Sequence, residues 1–205
     1  MRIEAIESRA TVEDVAVYGS DETIYQVARV CTGNGFFSKP DDHETLDRFI
    51  RNLLKRRHMR CFEFCGIVFG IRCPIFVERQ LRTYRKPELE RSLRYCEPIE
   101  LVEEMENSDN LDVFHRACLQ TYRQRRKDGA AKEKARCVLP LDTLTEVVSF
   151  YSLRSLFHVF EERLCSCAQT ETANVVFAMQ RIAREYFPLT IAAHDDYRSE
   201  HLEVE

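Results

Sequence analysis

Between Arg60 and Cys73 the chain reads RCFEFCGIVFGIRC, with apolar residues on both alternating faces. A strand with two apolar sides has no solvent face, so the pattern predicts a central strand over 60–73 covered on both sides. Gly66 and Gly70 point the same way along such a strand and leave a flat floor. That floor suits either the close packing of a helix or a planar ligand.

The flanking segments supply candidate covers. A strand over 14–19 ends at Gly19, and Asp21 can cap a helix on which Ile24, Val27, Ala28 and Cys31 share a face. Gly, Asn and Pro make 32–42 a loop. In the next helix Leu46, Phe49, Ile50, Leu53 and Leu54 repeat at helical spacing, with acids in the first turn and bases in the last. Pro74 opens a further helix that Lys86-Pro87 breaks, since the residue before proline leaves the α region. Residues 88–95 read as a loop or short turn, 99–138 as mainly helical, and 143–152 as a second β-branched, aromatic strand. Helices over 153–164 and 171–187 precede Pro188 and a polar tail. Strands and helices mixed without regular βαβ alternation predict an α+β domain.

A chain of 205 residues with 44% hydrophobic content fits one catalytic domain over 1–205 with a short polar C-terminal tail. Its net charge of -4 argues against general nucleic-acid binding, which makes a local cluster of cations informative. The N-terminal residues lack the apolar core of a signal peptide, and no run approaches a membrane span, so the expectation is a soluble, cytoplasmic protein. Nine cysteines, odd in number and scattered, predict reduced, buried thiols rather than a disulfide framework. Neither Cys165-x-Cys167 nor the Cys61, Cys65 pair has a second pair at zinc spacing, so no metal site is expected.

The cations concentrate in CPIFVERQLRTYRKPELERSLRYCEP, residues 73–98, with Arg79, Arg82, Arg85, Lys86, Arg91 and Arg94. Arg136, Arg154 and Arg163 stand beside apolar residues in later segments. Guanidinium groups match phosphate oxygens bidentately, and a buried one needs an anionic partner. Distant segments that each offer one suit an anionic ligand, whereas pairing with the chain's 34 acids is the structural alternative. Neither GxGxxG nor GxxxxGK[ST] is present, which excludes Rossmann and P-loop modes. His58, His115 and His158 read as helix-end or surface histidines rather than catalytic bases.

These residues resemble the flavin-dependent thymidylate synthases. That family's pattern R-H-R-x-x-S-x-N-E-x-S-x-R-Y follows a strand and the phrase P-I-F-V-x-R-Q. Here PIFVERQ stands at 74–80, and ELERSLRY at 88–95 keeps Glu90, Ser92, Arg94 and Tyr95. HMRCFEF at 58–64 resembles H-x-T-x-F-E-H, while 135–171 resembles the family's A-R-x-V-L-P-L and N-A-R-S-L segments and the arginine that follows. The likeness runs from about residue 20 to 187.

The resemblance implies a central, mostly antiparallel sheet flanked by helices, in a homotetramer with active sites between subunits. It implies C5-methylation of dUMP or UMP with FAD, methylenetetrahydrofolate and NADPH. Carried over by position, Gln80, Arg82, Glu90, Ser92, Leu93, Arg94 and Arg136 hold the nucleotide, chiefly its phosphate. Arg163 matches the catalytic arginine that polarises uracil. His58, Arg60, Thr83, Tyr84, Arg85, Ser152, Arg154 and His158 fall at flavin positions. Departures are Arg82-Thr83-Tyr84, or Thr83-Tyr84-Arg85, for R-H-R, together with Arg60, Phe64 and Ser152 for the family's threonine, histidine and asparagine. The altered motif is compatible with a branch that methylates UMP in nucleoside-antibiotic pathways. This chemistry needs no cysteine nucleophile, so the nine thiols should be dispensable. Two other readings stay open: a nucleotide- or RNA-binding protein that lost flavin, with Tyr84 and Tyr95 as stacking platforms, and an oligomeric scaffold held by arginine salt bridges.

Overall fold

The computed structural model of the chain describes residues 1–5, 9–33, 35, 38–103 and 112–201. Its centre is β3, Gly66–Pro74, which pairs antiparallel with β2, Ala10–Tyr18, on one side and β5, Leu144–Ser152, on the other. β1, Arg2–Ala5, extends the sheet beyond β2, and β4, Glu88–Glu90, extends it beyond β5, in the order β1-β2-β3-β5-β4. Every pairing is antiparallel, as expected for the α+β class. Gly66 faces Ser152 and Pro74 faces Leu144, so β3 and β5 match end to end.

Helices cover one face of this sheet. Ile67, Phe69, Ile71 and Cys73 of β3 and Tyr151 of β5 pack with Val175, Val176, Met179 and Ile182 of α8, Thr170–Tyr186, and Leu156, Phe157 and Phe160 of α7, Leu153–Arg163. Each such aliphatic or aromatic side chain, at 0–3% exposure, contributes about 1.5–3 kcal/mol. The opposite face is open. Val15, Tyr18, Leu89 and Val148 are exposed there. The strand expected to be covered on both sides is thus covered on one within a single chain.

Three further helices flank the core: α1, Asp21–Val30, α2, His43–Lys55, and α3, Ile75–Leu81. Ser20 rather than Asp21 caps α1, through a capping box with Thr23. Asp21 turns instead to the far end of the chain, where its carboxylate accepts from Leu189 N at 3.0 Å, Thr190 N at 3.2 Å and Thr190 Oγ1 at 2.5 Å. These bonds cap α9, Pro188–His201, the helix that occupies the stretch read as a polar tail. Pro188 ends α8 but suits the first turn of the next helix, and Ile191, Ala193 and His194 bury there. Between α3 and β5 lie α4, Ile99–Val102, α5, Val113–Lys127, and α6, Lys132–Ala135; residues 104–111 of the helical reading fall outside the described residues.

Other expectations need correction. Met59–Glu63 is a 3-10 turn, not strand, because consecutive Cys61 and Phe62 both enter the core, Phe62 meeting Phe157 edge-on at 5.2 Å. Within the chain the glycine floor meets neighbouring strands rather than a helix. A Cβ on Gly66 would strike the Tyr151 carbonyl and come within 2.8 Å of the Phe150 ring, and one on Gly70 would meet Glu13 and Val15. Residues 88–90 pair with β5 as a short strand rather than a loop. Cys165 and Cys167 form a disulfide with each other, their Cα atoms 5.4 Å apart, in the turn between α7 and α8. His115 is buried, with Nδ1 2.8 Å from Asp142, rather than at the surface.

Candidate active site

β5 ends at Ser152, whose hydroxyl accepts from Ser155 N at 3.2 Å and starts α7. Helical spacing then puts Arg154, His158 and Glu161 on one face. That face lines a cleft of about 1230 Å3. The end of α2 and the 3-10 turn supply Leu54, Arg57, Met59 and Glu63, the turn after α3 supplies Thr83 to Pro87, and α9 supplies His194 and Tyr197. Arg57 adopts φ +56°, a left-handed conformation unfavourable for a side-chain residue by about 1–2 kcal/mol.

The cations of the cleft divide into two kinds. Arg154 pairs with Glu63 at 2.5 Å and Lys86 with Glu88 at 2.5 Å. Arg57 and Arg85 have no carboxylate partner among the described residues. Deeper in, buried Tyr84 donates to Glu162 Oε2 at 2.8 Å and accepts from Arg163 Nε at 2.8 Å. Burial, reinforced by the bond to Glu162, pushes the Tyr84 phenol up to about 12. His158 Nε2 lies 3.4 Å from the other Glu162 oxygen.

Behind the cleft, Arg82 is clamped by acids. Its Nε lies 2.6 Å from Glu78 and 3.4 Å from Glu88, and Nη2 contacts Glu90. Burial raises the Glu78 carboxyl against the opposing bond from Arg82. Burial would also raise Glu88, but the bond and charge of Lys86 and the Ser149 hydroxyl outweigh it and lower that carboxyl. Burial pushes the Cys61 and Cys65 thiols up to about 11 and Cys73 to about 12, so none of the three is a thiolate near neutral pH.

Of the residues singled out for flavin, Thr83, Tyr84, Arg85, Arg154 and His158 line the cleft, and Ser152 begins the helix that forms its wall. His58 and Arg60 are exposed on the adjoining turn without lining it. Arg163 joins the cleft through Tyr84. Gln80 donates to Gln169 at 2.5 Å, and Arg82 and Glu90 bind each other. Half-buried Ser92 and Leu93 lead to Arg94, which pairs with Glu133 at 3.3 Å on α6, next to Arg136. Arg136 has no ion-pair partner among the described residues. Among the described residues no hydrogen bond or ion pair links Arg94 or Arg136 to Arg163. Sequence reasoning missed Arg57, Met59, Glu63, Lys86, Glu161, His194 and Tyr197 as cleft residues. The spacing of His158 and Glu161, and of His194 and Tyr197, was a usable signal once α9 was taken as a helix.

The family pattern described as Thymidylate synthase complementing protein matches residues 15–189. A flavin-dependent thymidylate synthase from Thermus thermophilus is 31% identical over 201 residues, covering 87% of this chain and 73% of the relative. The chain belongs to the flavin-dependent thymidylate synthase family. Another flavin-dependent thymidylate synthase, from Kosmotoga olearia, is 28% identical and covers 94% of this chain and 93% of its own. Among solved structures, the UMP/dUMP methylase PolB from Streptomyces cacaoi, bound with 5-Br dUMP, superposes with a TM-score of 0.80 at 25% identity, over 92% of this chain and 96% of that one. As a member of the flavin-dependent thymidylate synthase family, the chain is a methyltransferase-type enzyme. No helix among the described residues is long and apolar enough to cross a membrane.

Proposed function

We propose that this enzyme methylates C5 of a uridine monophosphate, dUMP or UMP, with FAD as cofactor, methylenetetrahydrofolate as carbon source and NADPH as reductant. The observation that carries this reading is one cleft in which Thr83, Tyr84, Arg154 and His158 meet two cations, Arg57 and Arg85, that have no carboxylate partner among the described residues. A dinucleotide presents a pyrophosphate and planar rings. Uncommitted guanidinium groups suit the former, and the aromatic walls of Tyr84, Phe157 and Tyr197 suit the latter. When bound, reduced FAD supplies the hydride.

The chain's residues bind and polarise. Arg163 would lie against the uracil, where a fixed cation stabilises charge developing on the ring. Ser92, Leu93, Arg94 and Arg136, with Gln80, Arg82 and Glu90 behind them, would hold the phosphate. Because no hydrogen bond or ion pair among the described residues joins Arg94 or Arg136 to Arg163, the reading draws the two sets from different copies, in a homotetramer with active sites between subunits. The open sheet face, with Tyr18, Leu89 and Val148 exposed, offers apolar surface for that assembly. One catalytic domain then spans 1–205.

Incubating the protein with FAD, NADPH, methylenetetrahydrofolate and either nucleotide tests the reading. Formation of the 5-methylated nucleotide is the expected result. A yellow, flavin-loaded protein that leaves both nucleotides unmethylated contradicts it.

A further inference from the structure

We propose that Tyr84 and Glu162 are positioning residues that hold the Arg163 guanidinium by its Nε and leave both terminal nitrogens for the substrate, an assignment that rests on the placement of Arg163 against uracil proposed above. The bonds form a chain. Arg163 Nε donates to the Tyr84 hydroxyl at 2.8 Å, and that hydroxyl gives its own hydrogen to Glu162 Oε2 at 2.8 Å. The guanidinium carbon stands 5.7 Å from the Tyr84 ring centroid, which adds a cation-π contact. Neither Nη of Arg163 has a partner among the described residues.

The phenol matters because of the charge behind it. A carboxylate in direct contact with a guanidinium takes its fork bidentately, and the donors are then spent. With Tyr84 interposed, Glu162 reaches only a phenol hydrogen, and the fork stays open. Tyr84 is 8% exposed, and its ring packs edge-on against His158 at 5.5 Å, so the hydroxyl has a fixed place. Its raised phenol stays protonated at neutral pH, with one hydrogen to give and a lone pair to receive. His158 steadies the far oxygen of Glu162 at 3.4 Å. Tyr84 is also where the sequence departs from R-H-R, so this arrangement belongs to this chain's own residues.

Steady-state kinetics on the FAD-loaded protein decide the matter. Tyr84→Phe keeps the buried ring and removes only the hydroxyl. It should lower kcat about 10- to 100-fold with KM for the uridine nucleotide changed less than about 3-fold, the signature of an interaction made in the transition state. Adding Tyr84→Phe to Arg163→Lys should cost no further activity, because the phenol acts only through the arginine. Glu162→Ala removes the acceptor of the phenol hydrogen and should also lower kcat more than it changes KM; a wild-type kcat there overturns the part assigned to Glu162. A wild-type kcat in Tyr84→Phe, or fully additive losses in the double variant, overturns the relay. Loss of the bound flavin band in Tyr84→Phe reassigns the hydroxyl to the cofactor and overturns it too. Wild-type turnover in Arg163→Lys contradicts the parent reading of Arg163, and the relay falls with it.

Discussion

Arg82 and Arg85 stand three residues apart in one cationic stretch and meet opposite fates. Arg82 is wedged among Glu78, Glu88 and Glu90, whereas Arg85 lines the cleft and has no ion-pair partner among the described residues. Replacing Arg82 with Ala leaves the buried Glu78 carboxylate without its donor, and should destabilise the fold by about 1–3 kcal/mol. Chemical denaturation would register that loss. Arg85→Ala should leave stability unchanged and weaken FAD binding about 10-fold or more, the worth of one charge-assisted contact, in a flavin titration. Composition could not separate these two arginines. What separates them is β4, a three-residue pairing that brings Glu88 and Glu90 back across Arg82, and Glu-Leu-Glu is too short for its alternation to be read as a strand. The carboxylate clamps therefore had to be seen, while the concentration of cations in this stretch was legible from the residue types alone.

At the scale of elements, the long segments were readable and their ends were not. β5 and α2 appear where alternation and helical spacing put them, because each buries one continuous apolar face. The strand read over 60–73 begins only at Gly66, since an apolar run without regular alternation suits a tight turn as well as a strand. α9 was hidden because Pro188 looks like a terminator; the cap that makes it a start comes from Asp21, 169 residues away from Thr190. Asp21→Ala should cost about 1–2 kcal/mol as a lost N-cap, and should loosen the helix that carries His194 and Tyr197. Amide hydrogen exchange confined to 188–201 would show it. Close packing gives a second test on β3. Gly66→Ala must displace the Tyr151 carbonyl and the Phe150 ring, at a cost of about 1–3 kcal/mol. Gly70→Ala meets the flexible Glu13 side chain at 3.2 Å and should cost less.

Glu146 links three elements and sets a pH dependence. It binds Arg72 of β3 at 2.8 Å and Arg91, just past β4, at 3.0 Å. Burial would raise its carboxyl, but the two arginine bonds outweigh it and hold it below the ordinary range. Near that ordinary range the folded state therefore binds fewer protons than the unfolded one. The stabilisation is present above it and is lost as pH falls through the lowered value. Glu146→Gln should flatten the acid limb of stability against pH in denaturation series, and an unchanged limb would assign that limb to other groups.

For the molecule as a whole, the question is how its arginines combine. Arg163 bonds to Tyr84 and through it to Glu162, Arg94 pairs with Glu133, and among the described residues no hydrogen bond or ion pair joins the two sets. On the proposed reading a site that needs both draws them from two copies, and the uncovered sheet face leaves apolar surface for copies to meet. The most direct measurement mixes two variants, Arg163→Ala and Arg94→Ala, each inactive alone, under conditions that let subunits exchange. If each site takes Arg163 from one copy and Arg94 from another, random assembly restores about a quarter of the wild-type rate of nucleotide methylation. A mixture that stays as inactive as its parents, while wild type methylates and the subunits demonstrably exchange, would contradict a shared site.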